Sequence, residues 1–192
     1  MFQDGFPNKL RDDVTKVVGL IPLRTYTDIS ISTSEETVQY YQDSIKIKFP
    51  FRMYHINVSD EVINKLSLQQ KMILHCIYSR SGDGFVRQRN LQSLLSMDYA
   101  DWAIPYIIKL CDEYVIEILE MTYDILKEQD TTRIKKFCFE NAQSFCKSYD
   151  RMISYWNEYY RYRYKNFHKY IGRKLFRECF GYSKSIERSK RA

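Results

Sequence analysis

Apolar positions recur every three or four residues from Ser59 onward and follow no such period before it, so the chain changes character near that point. Residues 1–58 read as a mixed N-terminal arm. Val17 to Leu23 is a short apolar stretch closed by Pro22. Ser34-Glu35-Glu36 opens a predicted helix running to about Gln42, with Thr33 and Glu36 at the spacing of a capping box. Ile45-Lys46-Ile47-Lys48-Phe49 alternates with period two and predicts a half-buried edge strand, whose lysines blunt the edge before Pro50 ends it.

Residues 59–130 predict helical hairpins. Ser59-Asp60-Glu61 starts one short helix, and Ser67-Leu68-Gln69-Gln70 is a second capping box. Leu68, Met72, Ile73, Cys76 and Ile77 then share a face, and the helix stops at Ser81-Gly82-Asp83-Gly84, where glycine can take the left-handed cap. A third helix from about Phe85 to Ser96 buries Val86, Leu91, Leu94 and Leu95. A fourth starts close to Pro105, whose missing amide costs nothing in a first turn. Ile107, Ile108, Cys111, Val115, Ile118, Leu119 and Ile125 stay nearly in phase, with a break at Asp112-Glu113 that fits two short helices or one bent one.

Thr131 or Thr132 caps the last run. It holds no Gly or Pro until Gly172, and Phe145, Tyr149, Met152, Trp156, Tyr159, Arg163, Phe167 and Tyr170 keep the three-four spacing. A long amphipathic C-terminal helix of about ten turns over residues 131–182, followed by a frayed tail at 183–192, is the prediction.

Composition supports helix: six Gly and four Pro among 192 residues are few for a chain of many tight β-turns. The length suits a single domain, 1–192. The five cysteines are odd in number and form no CxxC pair, so neither a disulfide framework nor a zinc knuckle is indicated and a cytoplasmic location is expected. No apolar run is long enough to span a bilayer. Charge changes the picture more. Lys147 to Ala192 holds thirteen Lys or Arg against four Asp or Glu, a net of +9, while the rest of the chain sums to −3.

The run Asp83 to Leu95, then Ile104-Pro105-Tyr106-Ile107-Ile108-Lys109-Leu110, then Asp112-Glu113-Tyr114-Val115 resembles a HEAT-like helical repeat, over about one and a half units between residues 83 and 126. Its first helix would begin near Val86-Arg87 and its second near Pro105. The resemblance implies an all-α fold of HEAT-like hairpins, with a groove for another macromolecule and no reaction. A helical bundle satisfies the same periodicity.

Few residues offer chemistry. His55, His75 and His168 are isolated, and no zinc, phosphate-loop or nucleophile-elbow motif is present, so no cofactor, metal or catalytic residue is assigned. Glu113, Glu117, Glu120 and Asp124, spaced four, three and four, form an acidic stripe on one predicted helix face, read as an internal counter-charge for the basic end. In the basic end, rings and cations alternate. Tyr160, Arg161, Tyr162, Arg163, Tyr164, Lys165, Lys169, Arg173 and Lys174 are the candidate partner-binding residues, because Tyr and Arg dominate interface hot spots. The expected function is a non-enzymatic protein-interaction module of adaptor or immunity type, holding a partner with an acidic surface; oligomeric state is left open. The alternative is a nucleic-acid-binding helical protein, or a repair-type enzyme in which Asp112 or Glu113 would supply the carboxylate.

Overall fold

A computed structural model describes residues 2–23 and 28–189. It corrects the all-α expectation. The protein is mostly helical, 59%, but 10% of it lies in strands that form two small antiparallel sheets. The chain divides into two compact units, residues 1–106 and 107–192.

The first unit opens with α1 (Arg11–Gly19), whose Val14 and Val17 are buried and which packs on α3 (Leu68–Tyr78). Between them runs a long hairpin of β1 (Ile31–Thr33), β2 (Thr37–Gln42), β3 (Ile45–Pro50) and β4 (Met53–His55). The predicted helix over 34–42 is therefore a strand. The capping-box spacing at Thr33 and Glu36 loses to the alternation of Thr37-Val38-Gln39-Tyr40-Tyr41-Gln42, in which Val38 and Tyr40 are buried and their neighbours are not. Gln42 pairs with Ile45 across a two-residue loop, Asp43-Ser44, and both loop residues have positive φ, 49° and 65°, as a type I′ turn requires. β3 fits its predicted alternation, with Ile47 and Phe49 buried and Lys46 and Lys48 exposed.

Thr33 faces Met53 and Thr37 faces Pro50, so three residues on one strand oppose two on the other, a bulge that separates the two sheets. Beyond it, β4 is tied to the end of α3: the Met53 amide donates to the Arg80 carbonyl at 2.7 Å, and the Gly82 amide donates to the Met53 carbonyl at 2.6 Å. Tyr106 stacks between Phe6 (5.3 Å) and Phe49 (4.2 Å) and its hydroxyl donates to the Gly5 carbonyl at 2.9 Å. A side chain at residue 5 would meet that hydroxyl at 2.4 Å, so glycine is required there by close approach.

Short α2 (Asp60–Asn64) precedes α3, which carries the predicted capping box: Gln70 N donates to Ser67 Oγ and Ser67 N to Gln70 Oε1, each at 3.2 Å. Leu68 lies in the first turn and is exposed rather than on the buried face. Asp83 caps α4 (Gly84–Leu95) through the Phe85 amide at 2.8 Å, and α5 (Ile104–Leu110) carries Pro105 in its first turn, starting close to it as predicted. Arg87, a residue that carries the repeat resemblance, is buried, and its guanidinium donates to the carbonyls of Ser81 and Gly82 at 2.9 and 3.0 Å.

The second unit contains α6 (Ile116–Leu126), α7 (Thr132–Glu140), α8 (Ala142–Tyr155), α9 (Ile171–Lys174) and α10 (Lys184–Ser189). The single long C-terminal helix is thus a correction. Asn141 separates α7 from α8, its side-chain amide turning back to the Phe137 carbonyl at 3.0 Å. α8 ends in one wide π turn, Trp156–Tyr160, and the chain then leaves helix. Asn166 caps a single 3-10 turn, Phe167–Lys169, accepting from the His168 amide at 2.8 Å. Asn141 breaks the run at the first place by offering the backbone a local side-chain partner, and Asn166 restarts a helical turn after the second, where the chain has already left helix beyond Tyr160 without any Gly or Pro. A second π turn, Leu175–Cys179, follows α9, and the last three residues of the predicted tail lie outside the described residues. The core here is aromatic: Phe145 stacks on Phe176 (5.4 Å) and Tyr149 on Tyr182 (3.5 Å).

Candidate functional site

The tyrosine- and arginine-rich segment is a loop after α8, and α6 holds it. The Trp156 indole donates to the Tyr164 carbonyl at 3.0 Å, closing the segment on itself, and the Tyr164 amide donates to the Tyr160 carbonyl at 2.8 Å. The Tyr160 hydroxyl donates to the Tyr114 carbonyl, just ahead of α6. Glu120 on α6 takes two further bonds on one oxygen, from the Tyr164 hydroxyl at 3.2 Å and from Arg163 Nη2 at 3.3 Å. The Arg163 guanidinium also lies 5.4 Å from the centre of the Tyr164 ring. Together these bonds fasten the segment on both sides of Tyr162.

The apex is what these bonds present. Tyr162 is 94% exposed, and Arg161, Arg163, Lys165 and Lys169 are exposed around it. Arg161 reaches back to Asn157 Oδ1, at 3.3 Å. Arg173 and Lys174, the other two predicted contacts, are half-buried in α9, with Arg173 5.7 Å from the centre of the Phe167 ring. Tyr160 and Tyr164 are half-buried supports of the loop. Burial raises the pKa of the Tyr160 hydroxyl, against the hydrogen bond from the Ile116 amide, and raises that of Tyr164, against the nearby Arg163 charge.

Beneath the loop lies Tyr170, fully buried, with ring neighbours Tyr164 at 5.4 Å and Tyr160 at 5.9 Å. Its hydroxyl has no hydrogen-bond partner among the described residues, and desolvation pushes its pKa well up. Gly172 makes room for this ring, because a Cβ there would stand 2.7 Å from Tyr170 Cε1.

Of the four acids of the predicted stripe, Glu117, Glu120 and Asp124 lie on α6 and Glu113 precedes it. Glu113 is buried in the turn before α6, Glu117 is exposed, Glu120 holds Arg163 and Tyr164, and Asp124 pairs with Lys127 at 2.7 Å on the surface. Asp112, the other acid considered for chemistry, is buried, with Lys109 Nζ at 2.8 and 2.7 Å from its two oxygens and the Ser148 hydroxyl donating at 2.8 Å. No group of His, Cys, Asp and Glu among the described residues is arranged to hold a metal ion. All five cysteines are buried free thiols, and burial raises the pKa of Cys76, Cys111, Cys138 and Cys179. None is placed as a nucleophile.

Two residues of this surface escaped the sequence reading. Tyr114 had no periodic signal because it sits in a turn, and Tyr159 matched the core spacing although its ring is 58% exposed. No helix of the described residues is long and apolar enough to cross a membrane. Comparison of the chain with protein-family models, with curated proteins and with solved structures gave no match.

Proposed function

We propose that this protein is a non-enzymatic interaction module of adaptor or immunity type, and that the loop around Tyr162 is its contact with a partner protein of acidic surface. One observation carries the reading: a tyrosine 94% exposed at the apex of a loop whose flanks are fastened by five hydrogen bonds. An exposed ring adds nothing to the protein's own core, whereas a ring held in place ahead of binding loses little conformational freedom when a partner's pocket takes it. Arg161, Lys165 and Lys169 set a positive rim around it, which favours acidic partners and speeds encounter. The five buried thiols support a reducing, cytoplasmic setting as part of this proposal.

A photo-crosslinking amino acid in place of Tyr162, used in the native host, tests the proposal. It should join one acidic protein. Binding of that purified protein should weaken by about 30-fold or more with Tyr162→Ala, the range of a hot-spot residue. The Arg161→Glu/Lys165→Glu variant should abolish capture while leaving the fold intact. If instead single-stranded or duplex nucleic acid binds, with an affinity that drops by orders of magnitude as salt rises, the nucleic-acid alternative replaces this one.

A further inference from the structure

We infer that the ring surface of Tyr114, Tyr155 and Tyr159 is a receptor for an arginine side chain of a partner protein, with Glu117 and Glu158 supplying the counter-charge. The three centroids lie 5.9, 6.0 and 6.1 Å apart, with interplanar angles of 67°, 47° and 30°. At those separations the rings touch one another and form one continuous face. Tyr114 and Tyr159 remain 50% and 58% exposed. The face is also held in place: the Tyr160 hydroxyl donates to the Tyr114 carbonyl, and the Tyr160 ring packs edge-on to Tyr159 at 6.4 Å.

Charge decides what such a face takes. Aromatic faces carry negative quadrupole density and attract cations, and the planar, weakly hydrated guanidinium stacks on them better than an ammonium. Glu117 is exposed on the first turn of α6, and its charge acts on the Tyr160 hydroxyl, which is bonded to Tyr114. Glu158 is exposed in the π turn, next in sequence to Tyr159. Arg161 is bonded to Asn157, which lies two positions from both Tyr155 and Tyr159 and so does not share their face. Arg151, one turn before Tyr155, is the cation of α8 on that face, and Tyr114 and Tyr159 are the rings that present open area to a partner. Nucleobases also stack on tyrosine, but their phosphates would then stand beside two carboxylates.

This site goes beyond the Tyr162 contact and has the opposite polarity, so the two stand or fall separately. The implied partner offers a cation to the tyrosine face as well as acids to the basic loop.

Ring resonances of the full-length protein, labelled with 13C at tyrosine, report the site directly. The probe is the acetylated, amidated tripeptide Gly-Arg-Gly, set against the same peptide with citrulline, which keeps the shape and removes the charge, and with glutamate. Saturable shifts at Tyr114 and Tyr159 are expected with the arginine probe, and about 3-fold or more weaker binding with citrulline. Glu117→Gln/Glu158→Gln should weaken the arginine probe and leave the citrulline probe unchanged; both positions are on the surface, so the fold is kept. Tyr159→Ala should remove the shifts, and Tyr162→Ala should not. Equal binding of arginine and citrulline, shifts with glutamate, or saturation by an oligothymidylate instead would each overturn the inference, the last by making the face a base-stacking platform.

Discussion

Residues 1–106 and 107–192 each carry twelve Asp or Glu, but the first unit has twelve Lys or Arg against them and the second eighteen, so all of the net +6 belongs to the second. They also use their rings and cations differently. The first unit buries two of its arginines with a ring stack: Phe6, Tyr106 and Phe49 pack together, and Arg80 and Arg87 are buried on backbone carbonyls, while Phe85, Tyr41 and Tyr54 stay exposed singly. The second builds its core from rings too, yet leaves Tyr114, Tyr159 and Tyr162 and the cations of the 161–169 loop outside. What distinguishes the second unit is that its exposed rings and cations share one segment, and the proposed contacts all lie there.

Arginine itself gives the strongest way to break that contrast. Arg80 is fully buried, its Nη2 donates to the Phe51 carbonyl at 2.7 Å, and its guanidinium lies 5.8 Å from the centre of the Phe51 ring. Arg80→Ala leaves a cavity and removes a donor from the Phe51 carbonyl, which also accepts from Arg52 Nη1 at 3.0 Å, and should cost about 2–5 kcal/mol of stability, mostly through the cavity. Arg161→Glu, on the exposed loop, should change stability by about 0.5 kcal/mol or less. Urea unfolding of the two variants decides it. A small loss at Arg80, or a large one at Arg161, would mean that the inward and outward cations have been assigned to the wrong units.

Acid sharpens the comparison next. His55 stacks on Tyr78 at 4.2 Å, and His75 Nδ1 lies 2.8 Å from Asn90 Oδ1, with Lys71 and Arg89 as the charges acting on it. Burial lowers the pKa of both imidazoles from the ordinary value of 6.5, more than their hydrogen bonds raise it. A histidine depressed in the folded state binds fewer protons there than in the unfolded chain. Stability from this source is therefore complete above pH 6.5 and falls as the pH drops through 6.5 toward the folded values. His55→Phe keeps a ring on Tyr78 and should flatten part of that fall in unfolding midpoints measured between pH 7.5 and about 5.5. An unchanged slope would remove His55 from the account.

In the second unit the buried Tyr170 hydroxyl sets a smaller test. Tyr170→Phe removes a polar atom without a partner and keeps the ring against Tyr160 and Tyr164, so the variant should gain about 1 kcal/mol. A loss of that size in thermal unfolding would show that the hydroxyl is satisfied after all.

How much of this was legible differs between the two ends of the chain. Caps made of short-range chemistry were readable in part: the Ser67–Gln70 box and Pro105 in the first turn of α5 stand where the sequence puts them. The left-handed glycine cap expected at 81–84 is not taken: α3 ends on Ser79 in the right-handed region, and Asp83 instead caps α4. The breaks at Asn141 and after Tyr160 were not readable, because the apolar spacing alone carries straight through both. The candidate site suffered most from this. Read as one helix, residues 155–170 place Tyr159 in the core; released from helix after Tyr160, they leave it on the surface and bring Tyr164 and Arg163 to Glu120. Which acid meets which cation depends on that turn, and nothing in the spacing of either run specifies it.

At the hairpin, two sequence signals competed, and the turn is where the winner can be weighed. The Thr33–Glu36 spacing argues for a helix through Gln42, while Asp43-Ser44 between two alternating runs argues for a two-residue turn. The turn holds both residues in the left-handed region, φ 49° and 65°, where a side chain with a Cβ is disfavoured. Asp tolerates this better than Ser, because its short polar side chain can bond locally. Ser44→Gly should therefore relieve strain and stabilise the protein by about 0.5–1 kcal/mol, against the general tendency of glycine to destabilise by enlarging the unfolded ensemble. Ser44→Val should do the opposite, since a β-branched residue at positive φ is a steric outlier. A helix over 34–42 would put Ser44 past its end and make both substitutions nearly silent, so the sign and size of the pair in urea unfolding discriminate the strand from the helix that the capping spacing suggests.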